Sequence, residues 1–227
     1  MFVGHYAAAL AAKAAEPKAP LWVYVAGCQL LDFGWSGLVM AGVEKMRVDP
    51  SLPGSNLDLY YMPFTHSLPA ALAWSVGAAL IARPILKLTW QAASMIGAVV
   101  FSHWLLDLLV HRPDLELAPH AEKVGLALWN FPLPEMALEL GLVGMAGAAW
   151  VALRKDQGLT AWPAIVFMGV LTAVQIFASW LNQSSTAGTA DPAAFGAQAL
   201  AVYLLLTAIA WLVDRGGRTF EAEHVIA

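Results

Sequence analysis

The sequence predicts an all-α protein, a polytopic transmembrane helical bundle of about six spans preceded by a short N-terminal helix. Hydrophobic residues make up 59% of the 227 residues and charged residues only 12%, about half the charged fraction of an ordinary soluble domain. Mean hydropathy is +0.64, and long apolar runs alternate with short charged loops, as in multi-pass membrane proteins. The lipid bilayer is therefore the predicted partner.

The elements follow one another along the chain. Phe2–Glu16 is helix-prone but short and ends at Pro17, so it either lies at the membrane interface or inserts partway as a half-helix. Six later segments are long enough to cross a bilayer at about 1.5 Å per residue. They are Leu21–Gly42, Thr65–Ala82, Gln91–Val110, Glu135–Leu153, Trp162–Leu181 and Gln198–Val213.

Two long links join these spans on one side. Glu44–Phe64 contains three prolines and Arg112–Pro134 contains four, which is typical of loops that could cap a site. The sequence has no internal repeat and no sign of a second domain, so residues 1–227 are predicted to form a single integral-membrane helical domain.

Charge and cysteine content exclude several classes of protein. The net charge of −4 offers no basic surface for nucleic acid. The single cysteine, Cys28, allows no intrachain disulfide and no cysteine-based metal site. The first basic residue, Lys13, follows the first apolar stretch, unlike a cleavable signal. Eight Lys and Arg residues fall on the side of both termini and four on the other, which predicts cytoplasmic termini.

One helix carries a polar stripe inside an apolar span. His103, Asp107 and His111 stand at i, i+4 and i+8 in the phrase SHWLLDLLVH, which places them within an arc of roughly 80° on a helix. An ionisable group at membrane depth costs on the order of 3 kcal/mol on insertion scales. Three such groups on one face therefore indicate a functional site.

Other ionisable residues fall at a similar predicted depth. Asp32 lies in the middle of the first span and His66 opens the second. Glu135 and Glu139 lie one turn apart at the start of the fourth, and His5 lies in the N-terminal helix. The last two spans have no ionisable residue at their centres, so one localised site is predicted.

The histidines and aspartates suit a divalent cation, foremost zinc, with manganese or iron as alternatives. His111 or Glu139 could carry protons for a reaction at such a site. Each residue also has a structural interpretation taken alone: an ion pair between His103 and Asp107, an interhelical hydrogen bond for Asp32, or helix capping around His66. His5 taken alone could be a solvated terminal residue. A single site explains why all these ionisable residues fall at one depth, whereas the structural interpretations need a separate reason for each residue.

Four phrases in this order carry a resemblance. Gly4-His5, Leu31-Asp32, Thr65-His66-Ser67 and Ser102-His103-x-x-x-Asp107 together resemble the membrane-bound metal-dependent hydrolases of the bacterial inner membrane. The resemblance covers about the first half of the chain. The motif order is in turn similar to that of zinc-dependent phospholipase C and P1 nuclease.

The resemblance implies a ligand set and a reaction. The implied metal ligands are His5, Asp32, His66, His103 and Asp107, and the implied chemistry is hydrolysis of a phosphoester. The family's fuller aspartate-histidine phrase is shortened here to Leu31-Asp32-Phe33. One or two metal ions are therefore expected rather than three.

Three functions remain open from the sequence. The leading hypothesis is a metal-dependent hydrolase that acts on a lipid or phosphoester at the membrane. The alternative is an ion, proton or small-solute transporter in which the same polar residues line a pathway. In a third interpretation the His and Asp side chains only hold the helices of an assembly subunit together.

Overall fold

The all-α prediction is confirmed by the computed structural model, which describes residues 1–118, 121–184 and 191–225. The helices there are α1 (His5–Ala15), α2 (Leu21–Cys28), α3 (Leu30–Met40), α4 (Leu68–Ile85), α5 (Trp90–Val110), α6 (Pro132–Asp156), α7 (Trp162–Ser184) and α8 (Pro192–Val225). Five of these helices are long and apolar enough to cross a membrane, and the bent pair α2–α3 makes a sixth candidate span. The chain is a multi-pass membrane protein.

Helix α1 lies inside the bundle, which supports the half-helix interpretation over an interfacial one. It packs against α6, α2 and α5, and His5, Tyr6 and Leu10 are fully buried. Seven of its eleven residues are alanine, and small side chains allow neighbouring helix backbones to approach closely. The polar side chain of His5 is thereby carried into the centre of the protein.

The first predicted span, Leu21–Gly42, is a bent pair of helices that together qualify as a candidate span. Helices α2 and α3 meet at Gln29 with a bend of 50°. The break is stabilised by tertiary hydrogen bonds. The Gln29 side chain donates to the Phe2 carbonyl at 3.2 Å, and the Cys28 carbonyl accepts from His103 at 2.7 Å. Irregular backbone at membrane depth requires such internal partners.

Helix α4 begins three residues later than predicted. Ser67 is its N-cap and accepts a hydrogen bond from the Ala70 amide at 3.3 Å, which satisfies one of the unpaired donors of the first turn. Thr65 and His66 therefore lie in the turn that precedes the helix, where both are buried. Helices α4 and α5 then pack side by side as a pair.

The two proline-containing links form small antiparallel hairpins. Strands β1 (Lys45–Val48) and β2 (Leu57–Tyr61) pair in the first link, and β3 (Leu115–Glu116) and β4 (Lys123–Val124) pair in the second. Arg112, which follows α5, joins the first hairpin to the later part of the second link. Its guanidinium donates to Asn130 Oδ1 and to the carbonyls of Leu57, Pro53 and Ser55, at 2.7–3.1 Å.

The main hydrophobic core fills the half of the bundle that contains the start of α5. Ile96 and Val99 on α5 pack there with Val143 and Trp150 on α6. His103 on α5 and Glu139 on α6 lie one turn beyond the core residues Val99 and Val143, whereas His5 on α1 adjoins the core residue Tyr6. The core therefore closes the bundle on one side of the polar residues.

Candidate metal centre

Helix α5 supplies His103 and Asp107 of the predicted polar stripe, and His111 follows as its C-cap with an extended backbone. His103, Asp107 and His111 are all at least 96% buried. The imidazole Nε2 of His103 lies 3.1 Å from Asp107 Oδ2, and that of His111 lies 3.3 Å from Asp107 Oδ1. Asp107 therefore stands between the two histidines one turn away on either side.

Three further residues arrive from separate elements. His5 on α1 places Nε2 3.1 Å from Asp107 Oδ1. His66, in the turn before α4, places Nε2 3.6 Å from Asp107 Oδ2 and 3.4 Å from Asp32 Oδ1. Asp32 on α3 also lies 3.5 Å from Nε2 of His103. The five residues proposed as ligands from the sequence thus meet at one place in the bundle.

The two oxygens of Asp107 divide the site into two halves. Oδ2 faces His66 and His103, which also share Asp32. Oδ1 faces His5 and His111, and the Met1 amine lies 2.8 Å from the same oxygen. Two sets of three have ligand atoms within 4.8 Å of one another: His5, His103 and Asp107, and Asp32, His66 and His103. Each set could hold a metal ion.

Contacts behind the rings fix which nitrogen faces the site. The Thr65 hydroxyl donates its proton to Glu44 Oε2 at 2.7 Å, so the same hydroxyl oxygen accepts from His66 Nδ1, also at 2.7 Å. His103 Nδ1 faces the Cys28 carbonyl, which can only accept. In the neutral rings, Nδ1 of both histidines then carries the proton. Nε2 is unprotonated, and its lone pair is directed at carboxylate oxygens.

The same arrangement holds for His111. Its Nδ1 lies 2.8 Å from Asp114 Oδ1, a carboxylate oxygen that accepts the ring proton. This pattern, in which one ring nitrogen is held by an outer acceptor and the other faces inward, is that of histidines that bind metals. Burial alone would lower the pKa of His111, but the negative charges of Asp107 and Asp114 raise it overall.

Several inward-facing atoms make no hydrogen bond. Among the described residues, His103 Nε2, Asp107 Oδ2 and both ring nitrogens of His5 are buried polar atoms without a hydrogen-bond partner. Leaving such groups unsatisfied in a protein interior costs free energy. A cation between His5 Nε2, His103 Nε2 and Asp107 Oδ2 would remove that cost for these three atoms and would neutralise the buried carboxylates.

The spacing between the inward atoms also fits a cation. Ligands of a tetrahedral ion with bonds of about 2.0–2.2 Å lie roughly 3.4 Å apart. The contacts among Asp32, His66, His103 and Asp107 range from 3.1 to 3.6 Å. Most of these exceed ordinary hydrogen-bond distances of about 2.7–3.2 Å. The residues present therefore fit a divalent metal ion.

Glu139 is fully buried and contacts backbone amides. Its carboxylate accepts from the amides of Phe2 at 3.0 Å and Gly4 at 2.7 Å. A carboxylate at the start of a helix satisfies unpaired donors and interacts favourably with the helix dipole. Glu139 thereby fixes the N-terminal end of α1, next to His5. The proton-carrying roles of His111 and Glu139 stay predictions.

Sequence reasoning missed the residues behind the ligands. Thr65 adjoins His66, and Asp114 follows His111 by three residues, so short-range spacing could have found both. Nothing in the sequence around Glu44 or Cys28 indicates that the Glu44 carboxylate or the Cys28 carbonyl supports a histidine of the site. Glu44 reaches Thr65 through the β1–β2 hairpin, and the carbonyl is released by the break at Gln29.

A large cavity adjoins the site. Its volume is about 1120 Å³, and Asp32, His66, Asp107 and His111 line one part of its wall. The rest of the wall comes mainly from α3, α6, α7 and α8 and from the first hairpin. The polar centre is therefore open to a space much larger than a water molecule.

No protein-family model, curated protein or solved structure matches the chain. The fold and the site by themselves define a multi-pass membrane protein whose buried His and Asp side chains could hold a metal ion.

Proposed function

We propose that the protein is a membrane-embedded, divalent-metal-dependent hydrolase of a lipid or phosphoester, of the kind that the four sequence phrases resemble. We further propose zinc as the metal, with manganese or iron as alternatives, and the bacterial inner membrane as the location. The observation that carries the proposal is the orientation of His66 and His103. Each ring is held through Nδ1 and directs Nε2 toward carboxylate oxygens at 3.1–3.6 Å.

The residues have separate roles in this proposal. Asp32, His66, His103 and Asp107 hold the cation, and His5 adds a further nitrogen on the other side of Asp107. A cation held there would lower the pKa of a bound water so that hydroxide is available near neutral pH. His111 lines the cavity and is oriented by Asp114. It is therefore placed to carry a proton between water and the leaving group.

The position of the site supports catalysis over transport. Between the site and the opposite end of the bundle, α5 buries Ala92, Ala93, Ile96, Val99 and Val100. A pathway for ions requires polar groups or water through the whole bundle. Among the described residues this stretch of α5 presents only apolar side chains to the interior, so α5 offers no polar path from the site to that end.

Metal analysis and turnover together test the proposal. We expect detergent-purified protein to retain at least one equivalent of zinc, manganese or iron by elemental mass spectrometry. The metal-loaded protein should hydrolyse a chromogenic ester or phosphoester, and Asp107→Asn should abolish both properties. Asp58→Asn is the matched control because Asp58 pairs with Arg47 in the hairpin outside the site. Folded protein that binds none of these metals would refute the proposal.

A further inference from the structure

The large cavity beside the site has features that select a substrate. We propose that it binds the hydrocarbon chain of an uncharged acyl lipid, which enters sideways from the bilayer between α7 and α8 and presents a neutral carboxylic ester to the metal centre. The cleavage part of this inference rests on the proposed function, whereas the binding part does not.

The size and the wall of the cavity favour a long apolar ligand. At about 1120 Å³ it exceeds the roughly 300–1,000 Å³ typical of pockets for small molecules. Most of its wall is apolar, and side chains from α6, α7 and α8 contribute to it. Examples are Leu133, Val174, Phe177, Leu181, Phe195 and Val202. Such a wall stabilises a hydrocarbon chain by excluding water.

Part of the cavity wall is also exposed on the outside of the bundle. Phe177 and Leu181 on α7 line the cavity, yet 58% and 44% of their surfaces are exposed. On α8, Gln198 and Ala199 also line the cavity. Because α7 and α8 are candidate spans, a chain that leaves the bilayer between them reaches the cavity without crossing water.

The charge around the cavity disfavours an anionic headgroup. Among the described residues that line it, none is Lys or Arg, and the Met1 amine in its wall is paired with Asp107 at 2.8 Å. Asp32 and Asp107 would be neutralised by the cation that they hold, which leaves the carboxylate of Glu135 in the cavity wall. The link over residues 185–190 contains no basic residue in the sequence. Arg112, which lies 6.0 Å from the ring of Trp129 in the wall, already donates to Asn130 and three carbonyls.

The helix end at the cavity offers at most one amide, that of Leu133, in place of a basic residue. Helix N-termini can bind phosphate through free backbone amides, and α6 begins at the cavity wall with Pro132. Pro132 and Pro134 have no amide hydrogen, and the Glu135 amide already donates to the Phe131 carbonyl at 3.0 Å. Glu135 also adds a carboxylate to this end of the cavity. An uncharged ester meets none of this repulsion.

The cleavage is an ordinary ester hydrolysis. The oxygen of a water molecule adds to the acyl carbon, and the bond from that carbon to the alcohol oxygen breaks. The alcohol leaves with one proton of the water, and the acid is released as carboxylate with loss of the other proton. No oxidant or reductant is needed.

Binding is tested with two probes of equal chain length. 1-O-hexadecylglycerol is uncharged and has an ether in place of the ester, so it cannot be cleaved by ester hydrolysis. Hexadecyl phosphate has the same chain with an anionic head. Native mass spectrometry of zinc-loaded protein should show at least tenfold tighter binding of the uncharged ether. Equal or tighter binding of the phosphate would overturn the uncharged headgroup.

Two pairs of variants test the position of the chain. Ala178→Trp on α7 and Ala199→Trp on α8 fill the cavity, since both alanines line it. Ala173→Trp and Ala201→Trp are the controls because both alanines are exposed on the same helices and neither lines the cavity. We expect the cavity variants to weaken ether binding at least tenfold and the controls to leave it unchanged. Unchanged binding in folded cavity variants would overturn the inference.

Turnover separates this inference from the proposed function. The zinc-loaded protein should cleave p-nitrophenyl palmitate at least tenfold faster than bis(p-nitrophenyl) phosphate. If the ether binds and the tryptophan variants block it while neither substrate is cleaved, the proposed hydrolase function fails and the lipid site stands. If the phosphodiester is cleaved faster, the hydrolase function stands and the ester assignment is overturned.

Discussion

His5 and His103 stack face to face, with ring centroids 3.7 Å apart and ring planes 5° from parallel. One ring comes from the buried N-terminal helix and the other from the middle of a span. Two imidazolium ions at this distance would repel each other, so the stack favours at least one neutral ring. Neutral imidazole is also the form that binds metal ions.

Replacement of Asp107 should abolish metal binding. Asp107 contacts four imidazoles through its two oxygens, and an amide offers a neutral oxygen in place of two charged ones. We expect Asp107→Asn to lower metal affinity by more than the roughly 100-fold seen for residues behind the ligands. Competition with a chelating dye measures this. Asp58→Asn should retain wild-type affinity, and a normal affinity in Asp107→Asn would contradict the site.

The residue behind His66 should affect metal affinity without contacting the metal. Thr65→Val removes the oxygen that holds His66 Nδ1, so the ring loses its fixed orientation. A decrease in metal affinity of about 10–100-fold is expected by the same dye competition.

Thr89→Val is the matched control for this change. Thr89 caps α5 at its other end through the Ala92 amide, so its loss should lower the free energy of unfolding by about 1 kcal/mol and leave metal affinity unchanged. Equal metal affinities in the two threonine variants would show that Thr65 has no role in orienting His66.

Glu139→Gln should destabilise the protein. The carboxylate accepts from the amides of both Phe2 and Gly4, and an amide side chain can accept through only one of its two terminal atoms. The loss should be about 1–3 kcal/mol, measured as a lower Tm in detergent. Glu122→Gln, at an exposed position, is the control. An unchanged Tm together with a lower kcat would instead support the proton-carrying role.

Removal of the metal should lower the Tm. Without a cation, Asp32 and Asp107 remain buried opposite ring nitrogens. A ligand at 100 times its Kd stabilises the native state by about 2.7 kcal/mol, which corresponds to roughly 5–10 °C for a chain of this size. Scanning calorimetry with EDTA and then with zinc tests this. The shift should be absent in Asp107→Asn, and its persistence there would place the metal elsewhere.

Much of the site could be predicted from the sequence because residue spacing within a helix and the alternation of spans were enough to place its residues. The i, i+4, i+8 spacing places the α5 stripe on one face, and the alternation of spans places Asp32 and His66 near the same depth. Both inferences need only helix geometry and hydropathy. The membrane-spanning helical fold follows from the same two quantities.

The break at Gln29 could not be predicted in this way. Leu21–Gly42 has the composition of a continuous span and contains no proline, and an isolated glycine such as Gly27 is tolerated inside a helix, so the sequence does not predict an end at Cys28. The bend depends on hydrogen bonds from Gln29 to Phe2 and from His103 to Cys28, which exist only in the folded protein. The hairpins and the contact of Glu44 with Thr65 also depend on tertiary contacts that exist only in the folded protein.

The break at Gln29 has a consequence for the order of assembly. The spans can be inserted by hydropathy alone, but His103 obtains its carbonyl partner only after α2 and α3 have bent against α5. His5 reaches the site only when α1 has docked and the amides of Phe2 and Gly4 contact Glu139. Metal capture is therefore expected to be a late event in biogenesis, and bound metal would mark molecules that have finished folding.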